Sequence, residues 1–358
     1  MRTEKSVVKP TVLMILSVLA LFGIFIFSNE VKIGVKSGIE VCLFLLIPSL
    51  FLPLVICSFI QQTGGLQLLG KPLSPIGKRF FCTSGSALAA FLLCMLSGYP
   101  SGAVMLRRLY DSNAIDKTSA QRMSNTAICA GPAFILLGVG DGMLNSRTSG
   151  VILLISHISA AIILLIFDGL IHHNGDYSEK TLPPRKSGIM NSAVYSVNSA
   201  ARSMAMICAL TLIFSAVNTV ANRFGEPLSI ISVTLCEPTN ACLYYAPGNN
   251  LPMIAAILGF SGLSIIAQVC FALGNICNFP KLLIYRLINA ALSYIICTVI
   301  LRFLPQVCTA SAQNGANACL KASAATPMLS IMLIICSILL ICSTHQKKIR
   351  PISDFFSS

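Results

Sequence analysis

Runs of apolar residues about 20 long, the length a helix needs to cross the hydrocarbon of a bilayer, organise this chain from end to end. Clean runs cover Pro10–Ser28, Ile39–Ile60, Gly150–Ile171, Ser203–Asn222, Phe279–Arg302 and Pro327–Ser343. Three more are interrupted by turn-forming residues. Ser84–Leu106 is broken at Ser97-Gly98-Tyr99-Pro100-Ser101-Gly102, Arg122–Gly140 at Ala130-Gly131-Pro132, and Leu251–Asn275 at Gly259-Phe260-Ser261-Gly262-Leu263-Ser264. A fourth, Leu228–Ala246, is only weakly apolar and carries Cys236-Glu237-Pro238-Thr239-Asn240 near its middle. Between Gly188 and Arg202, apolar Met190, Val194, Val197 and Ala201 recur at helical spacing among Asn and Ser. That pattern predicts an interfacial helix along the cytoplasmic surface, or a plain polar linker. The first run has the look of a signal peptide, but no small-residue cleavage site follows it, so an N-terminal anchor is expected.

Composition fixes the medium. Of 358 residues, 55% are hydrophobic and 10% charged, with a mean hydropathy of +0.81. An ordinary soluble domain carries about a quarter Asp, Glu, Lys and Arg, so polar surface here is too scarce to cover a globule in water. A soluble enzyme, a secreted disulfide scaffold and a disordered protein are excluded. The expected fold is all-α, a polytopic transmembrane helical bundle in a cell membrane, with the lipid bilayer as its first partner. The net charge of +13 does not point to nucleic acid, because the positive residues form no patch. They sit in short connectors: Lys71, Lys78 and Arg79; Arg107, Arg108, Lys117 and Arg122; Lys180, Arg185 and Lys186; Lys347, Lys348 and Arg350. Positive residues held on the cytoplasmic face are distributed in this way. The 15 cysteines contain no CxxC pair and no Cys/His cluster at zinc spacing, so neither a metal nor a cofactor is expected. Cys308 and Cys319 share a polar loop, where they either bridge on an oxidising side or remain thiols.

Counting positive residues decides which segments cross. If the connectors on both sides of Ser84–Leu106 are cytoplasmic, that segment enters and leaves on one side, as a re-entrant hairpin turning at Gly98–Gly102. Arg122–Gly140 then crosses outward as a broken helix and Gly150–Ile171 returns. The second half runs the other way: Ser203–Asn222 outward, Leu228–Ala246 as a hairpin from outside, Leu251–Asn275 back as a broken helix, then two final spans. Both termini are cytoplasmic in this scheme, which leaves Lys32 and Lys36 outside near Glu30. The order is a repeat, the same series occurring twice in opposite orientation. Short echoes in matching order accompany it: Ser37-Gly38-Ile39 with Ser187-Gly188-Ile189, and Lys71-Pro72-Leu73-Ser74 with Glu226-Pro227-Leu228-Ser229. The expected organisation is an anchor over 1–35, a first repeat over 36–172, a linker and interfacial helix over 173–202, and a second repeat over 203–303. A polar loop over 304–326 and a last span with its basic tail over 327–358 complete it.

Backbone that leaves the helix at bilayer depth has no water to satisfy it, and persists only when buried in protein or lining a wet cavity. The four interruptions are therefore where function is expected. The first offers Ser97, Gly98, Tyr99, Pro100, Ser101 and Gly102; the second Asn125 and Thr126 before Gly131 and Pro132. Glu237, with Thr239 and Asn240, is an acid deep in an apolar stretch, and such acids mark solute or ion pathways. The fourth offers Ser261, Ser264 and Gln268, spaced to share a helix face. Each has a structural alternative: a Gly/Pro kink, hydroxyls bonding between helices, or a solvated Glu237 in an external loop. His157, mid-span, reads as a hydrogen-bonding residue between helices, and Asp168 and Arg202 as span-end groups that snorkel. No nucleophile–base set appears, so an enzyme is not expected.

The motifs Leu96-Ser97-Gly98-Tyr99-Pro100-Ser101-Gly102-Ala103 and Gly259-Phe260-Ser261-Gly262-Leu263-Ser264-Ile265-Ile266-Ala267-Gln268-Val269 resemble paired signatures of the YlbJ-like sporulation integral membrane proteins. Members of that family carry the nucleoside-recognition (Gate) domain, and the similarity covers roughly Ile39 to Arg302. The derived plan is also similar to concentrative nucleoside transporters, whose hairpin tips and broken helices hold the solute. The resemblance implies a membrane protein bearing on sporulation, with solute held by Ser97–Gly102, Asn125–Pro132, Glu237–Asn240 and Ser261–Gln268. Two functions remain open: a permease for a nucleoside or other small polar solute, possible as an oligomer, and a non-transporting component of spore envelope or cortex assembly.

Overall fold

The computed structural model describes residues 4–63, 65–171 and 188–303; the last expected span and the Cys308/Cys319 loop lie outside them. All of the described residues fall in one compact unit, Met1–Ala316. They are helical almost throughout, with no strand among them. In order they form α1 (Glu4–Ile26) and α2 (Ser28–Val41), which passes through a π-helical turn, Cys42–Leu46, into α3 (Ile47–Gln62). Then come α4 (Gly65–Phe80), α5 (Gly85–Ser97), α6 (Ser101–Asp111), α7 (Lys117–Ala127), a π-helical segment (Phe134–Met143) and α8 (Arg147–Ile171). After the linker follow α9 (Ile189–Ala221), α10 (Glu226–Cys236), α11 (Pro238–Tyr245), α12 (Leu251–Phe260), α13 (Gly262–Leu273) and α14 (Phe279–Phe303).

Among the described residues, five helical stretches are long and apolar enough to cross a membrane: Ser28–Ile60, Arg147–Ile171, Ile189–Phe224, Leu251–Ile276 and Phe279–Phe303. The pair Leu68–Phe80 and Gly85–Ser97, bent by 100°, makes a sixth if counted as one span. Their outer faces carry exposed Phe44, Leu52, Phe167, Ile213 and Phe271, the side chains that lipid covers when water is absent.

Two expectations are corrected. The stretch expected to lie on the surface, Gly188–Arg202, is the first part of a continuous 33-residue helix, α9. Its buried residues Ser192, Ser196, Ala200, Met204, Ile207, Thr211 and Ser215 recur every three or four positions. They form one seam with no break at Ser203. The Asn and Ser read as water-facing include small residues that let helices approach, as in membrane bundles generally. Asp168 does not snorkel: it is 1% exposed. Its carboxylate takes a 2.5 Å hydrogen bond from Arg122 Nε and a 2.6 Å bond from Tyr285 Oη. Arg122 also donates to the carbonyls of Phe81 and Cys82, so this buried pair clamps α7, α8, α14 and the α4–α5 corner together.

Helices α2 and α9 cross closely. A Cβ on Gly34 would lie 2.6 Å from Ala216 Cα, and one on Gly38 3.1 Å from Leu212 Cα. These two glycines, one turn apart, set the approach in the manner of a small-xxx-small interface. Replacing Gly34 by Ala is expected to cost about 1–3 kcal/mol through overpacking, read as a lowered Tm of the detergent-solubilised protein. Gly23→Ala serves as control, since nothing lies within 4 Å of a Cβ there; equal Tm values for the two variants would show that the crossing is dispensable.

Candidate functional site

The four interruptions are breaks in the helices, and several of the peptide groups they free have partners within the protein. At the first, α5 ends on Gly98, whose φ of 67° is a left-handed conformation suited to glycine. Its N–H reaches Cys94 O at 2.9 Å, and Gly102 N–H returns to Gly98 O at 2.8 Å. Here Gly102, in the first turn of α6, is seated against Cys94 of α5. At the second, α7 stops at Ala127 and the π-helical segment starts at Phe134. His157 Nε2 accepts the N–H of Ala130 at 3.1 Å, so that nitrogen carries no proton. Arg286, 1% exposed in α14, donates to Ile128 O at 2.7 Å and to Asn125 O. A helix C-terminus exposes carbonyls and partial negative charge, and the guanidinium meets both. Tyr99 N–H donates to Cys129 O at 3.1 Å, and a Cβ on Gly98 would lie 2.6 Å from Gly131 N. The first two breaks thus meet backbone to backbone.

The other two breaks meet as well. Glu237 is extended between α10 and α11, and its Oε2 accepts Asn240 N–H at 2.7 Å, capping α11. At the fourth, Ser261 and Gly262 are left-handed, with φ of 75° and 76°. Asn289 Nδ2 of α14 donates to Gly259 O at 3.2 Å, and Ser261 Oγ to Leu258 O at 3.4 Å. A Cβ on Gly262 would meet Pro238 Cδ at 2.9 Å.

Three breaks line one cavity. Ser97, Gly98 and Tyr99 come from the first, Gly131 with Phe134 from the second, and Glu237, Pro238 and Thr239 from the third. Ile265, just beyond the fourth, joins them, and Leu50, Leu54 and Ile207 form an apolar wall. The cavity measures about 40 Å³, room for a few water molecules. Glu237 brings a buried acid to the lining, and the Tyr99 hydroxyl is buried with no hydrogen-bond partner among the described residues. Tyr99 also packs against both hydrophobic cores of the bundle.

The structure therefore brings together Ser97, Gly98, Tyr99, Gly131, Glu237 and Thr239. The other expected residues do not line this cavity. Pro100 and Pro132 shape the breaks, and Ser101 lies on a second pocket. Asn125 serves through its carbonyl, Thr126 Oγ1 turns back to Arg122 O, and Asn240 pairs with Ser215 Oγ. Ser261 is the break residue itself rather than part of a helical face with Ser264 and Gln268. The latter two are buried, and Ser264 Oγ and both amide atoms of Gln268 lack a partner among the described residues.

Arg286 and Asn289 were absent from the sequence reading. Their signal was there: Arg286, Asn289 and Ser293 stand at i, i+3 and i+7 inside an otherwise apolar span, which places them on one face. His157 matches its expected role of bonding to a neighbouring segment. Among the described residues no group of three His, Cys, Asp or Glu is placed to hold a metal.

A helical bundle with lipid-facing apolar sides and polar groups gathered at internal breaks defines an integral, multi-pass membrane protein. It is similar to the sporulation integral membrane protein YlbJ of Bacillus subtilis (strain 168), at 25% identity over 122 residues. The match covers 34% of this chain and 30% of that protein's length. No protein-family model matches the chain, and no solved structure matches it.

If the second break depends on His157, His157→Phe keeps the bulk and strands the Ala130 N–H. The expected cost is about 1–3 kcal/mol, measured as a lower unfolding midpoint. An unchanged midpoint would show that another group takes over the bond.

Proposed function

We propose that this chain is a permease for a small polar solute of nucleoside type, non-catalytic, working by alternating access. In this reading the element order is two inverted repeats. Each holds a long span, a re-entrant hairpin (α5–α6, then α10–α11), a broken helix and a closing span, with both termini cytoplasmic. Secondary transporters place their solute near the midplane between such repeats, at broken helices. The convergence of breaks from both halves on the cavity beside Glu237 and Tyr99 carries the proposal. A nucleoside is larger than about 40 Å³, so the closed breaks must part to admit it. The touching glycines Gly98 and Gly131 supply a seam free of side chains along which they can separate. A role in sporulation is supported by the relative's name.

The second reading is a non-transporting component of spore envelope or cortex assembly. The small cavity and its single acid favour it. Uptake of labelled uridine and adenosine by reconstituted vesicles separates the two. Glu237→Gln preserves an acceptor for the α11 cap while removing the charge, and Tyr99→Phe removes the hydroxyl. Each is expected to lower uptake at least about tenfold, the worth of one hydrogen bond to a charged group, with Tm little changed. Failure of the wild-type chain to move either nucleoside, or indifference of uptake to both variants, rejects this solute site.

A further inference from the structure

The connection between α13 and α14 holds two thiols that neither the cavity nor the breaks use. Cys270 lies in the last turn of α13, and Cys277 directly follows a 3₁₀ turn, Gly274–Ile276. Both are free cysteines, and their Sγ atoms stand 2.9 Å apart. A disulfide holds its sulfurs at about 2.05 Å, so a movement of less than about 1 Å would join them. Other thiols of the bundle turn to backbone instead: Cys42 to Cys208 O, Cys94 to Gly102 O and Cys129 to Thr126 O. Cys270 and Cys277 are half-buried at the edge of the core, while Asn275 and Asn278 beside them are exposed. Reactive cysteines occupy such partly accessible places, whereas fully buried ones are inert.

The connection is held in shape. Gly274 is left-handed, with φ of 55°, and Cys277 N–H returns to its carbonyl at 3.1 Å. Arg107 of α6 donates from Nη1 to Leu273 O at 3.1 Å and to Asn275 Oδ1 at 2.8 Å. Asn278 Oδ1 accepts Lys281 N–H at 3.2 Å and caps α14. Two thiols fixed in contact react as a unimolecular pair, the entropy of their encounter having been lost on folding.

We infer that Cys270 and Cys277 form a reversible dithiol–disulfide site whose oxidant is a small aliphatic disulfide. The thiolate of one attacks RS–SR and expels RS⁻, leaving a mixed disulfide. The sulfur of the other then displaces the second RS⁻ and closes the ring. Two protein thiols are oxidised, one RS–SR is reduced to two RSH, and both thiol protons end on the departing thiolates. Burial, and then the hydrogen bond with Cys270, push the Cys277 thiol up. Cys270 therefore opens the exchange and Cys277, which keeps its proton longer, closes it. The ring encloses the residues that Arg107 grips, so its closure fixes the end of α13 against α6.

The inference is independent of transport. The full chain in detergent is reduced, freed of reductant and treated with oxidised glutathione, then acid-quenched, alkylated and mapped by mass spectrometry. The peptide carrying Cys270 and Cys277 is expected to lose two hydrogens, and dithiothreitol to restore them. Closure should be at least about tenfold faster than in the chain unfolded in guanidinium, where the thiols are no longer held together. Cys277→Ser should stop at a stable glutathione adduct on Cys270, and Cys270→Ser should form its adduct at least about tenfold more slowly. Where either variant does not fold, the wild-type map carries the test. Lasting glutathione adducts in the wild type, both thiols still open to alkylation, or bonds from either cysteine to a different partner would overturn the inference. So would a closure rate unchanged by unfolding.

Discussion

Peptide groups released from a helix at bilayer depth must find partners inside the protein, since hydrocarbon offers none and each orphan costs several kcal/mol. Against a total stability of about 5–15 kcal/mol, a handful of orphans would unfold the bundle. One helix, α14, answers this demand at two of the breaks. Its buried face presents Arg286 to the carbonyls of the second break and Asn289, one turn later, to the carbonyl before the fourth. His157 of α8 supplies the acceptor that α14 does not. With these partners in place, broken backbone from both halves of the chain can stand side by side around a cavity.

The same logic accounts for the two buried charges nearest the breaks. Arg286 faces the carbonyl end of α7, and Glu237 sits at the amide end of α11. Each charge is thus met by the helix terminus of opposite sign. That solution leaves Glu237 without an ion-pair partner among the described residues, its carboxylate held by Asn240 and Thr239 at the start of α11. The Arg122–Asp168 pair is the contrasting case: its charges neutralise one another, with Tyr285 and two carbonyls completing the shell. It lies away from the cavity and fastens helices.

The all-helical membrane fold and the positions of the breaks were legible in the sequence. Gly, Pro and polar residues stand out against apolar runs, as at Gly98–Gly102 and Ser261–Gly262. Less legible were features that depend on partners distant in the chain. Asp168 reads as a span-end acid until Arg122 and Tyr285 arrive from other helices. Arg286 is one cation in an apolar stretch, and its partners are backbone carbonyls that leave no mark on sequence. The Ser of Gly188–Arg202 read as polar positions along a surface helix because hydropathy does not distinguish a hydroxyl toward water from one turned to its own helix, as Ser196 Oγ is to Ser192 O. The meeting of three breaks in one cavity was beyond a reading of single segments, because it depends on how the two halves of the chain pack.

The crossing of α2 on α9 through Gly34 and Gly38 has a consequence for biogenesis. During synthesis α2 enters the bilayer long before α9 has been made, carrying Lys32 and Lys36 and a groove of bare glycine backbone. Until α9 docks, that groove faces lipid. Insertion of the first half is then a provisional state, and a chain cut in the linker should leave two fragments that mature only when expressed together.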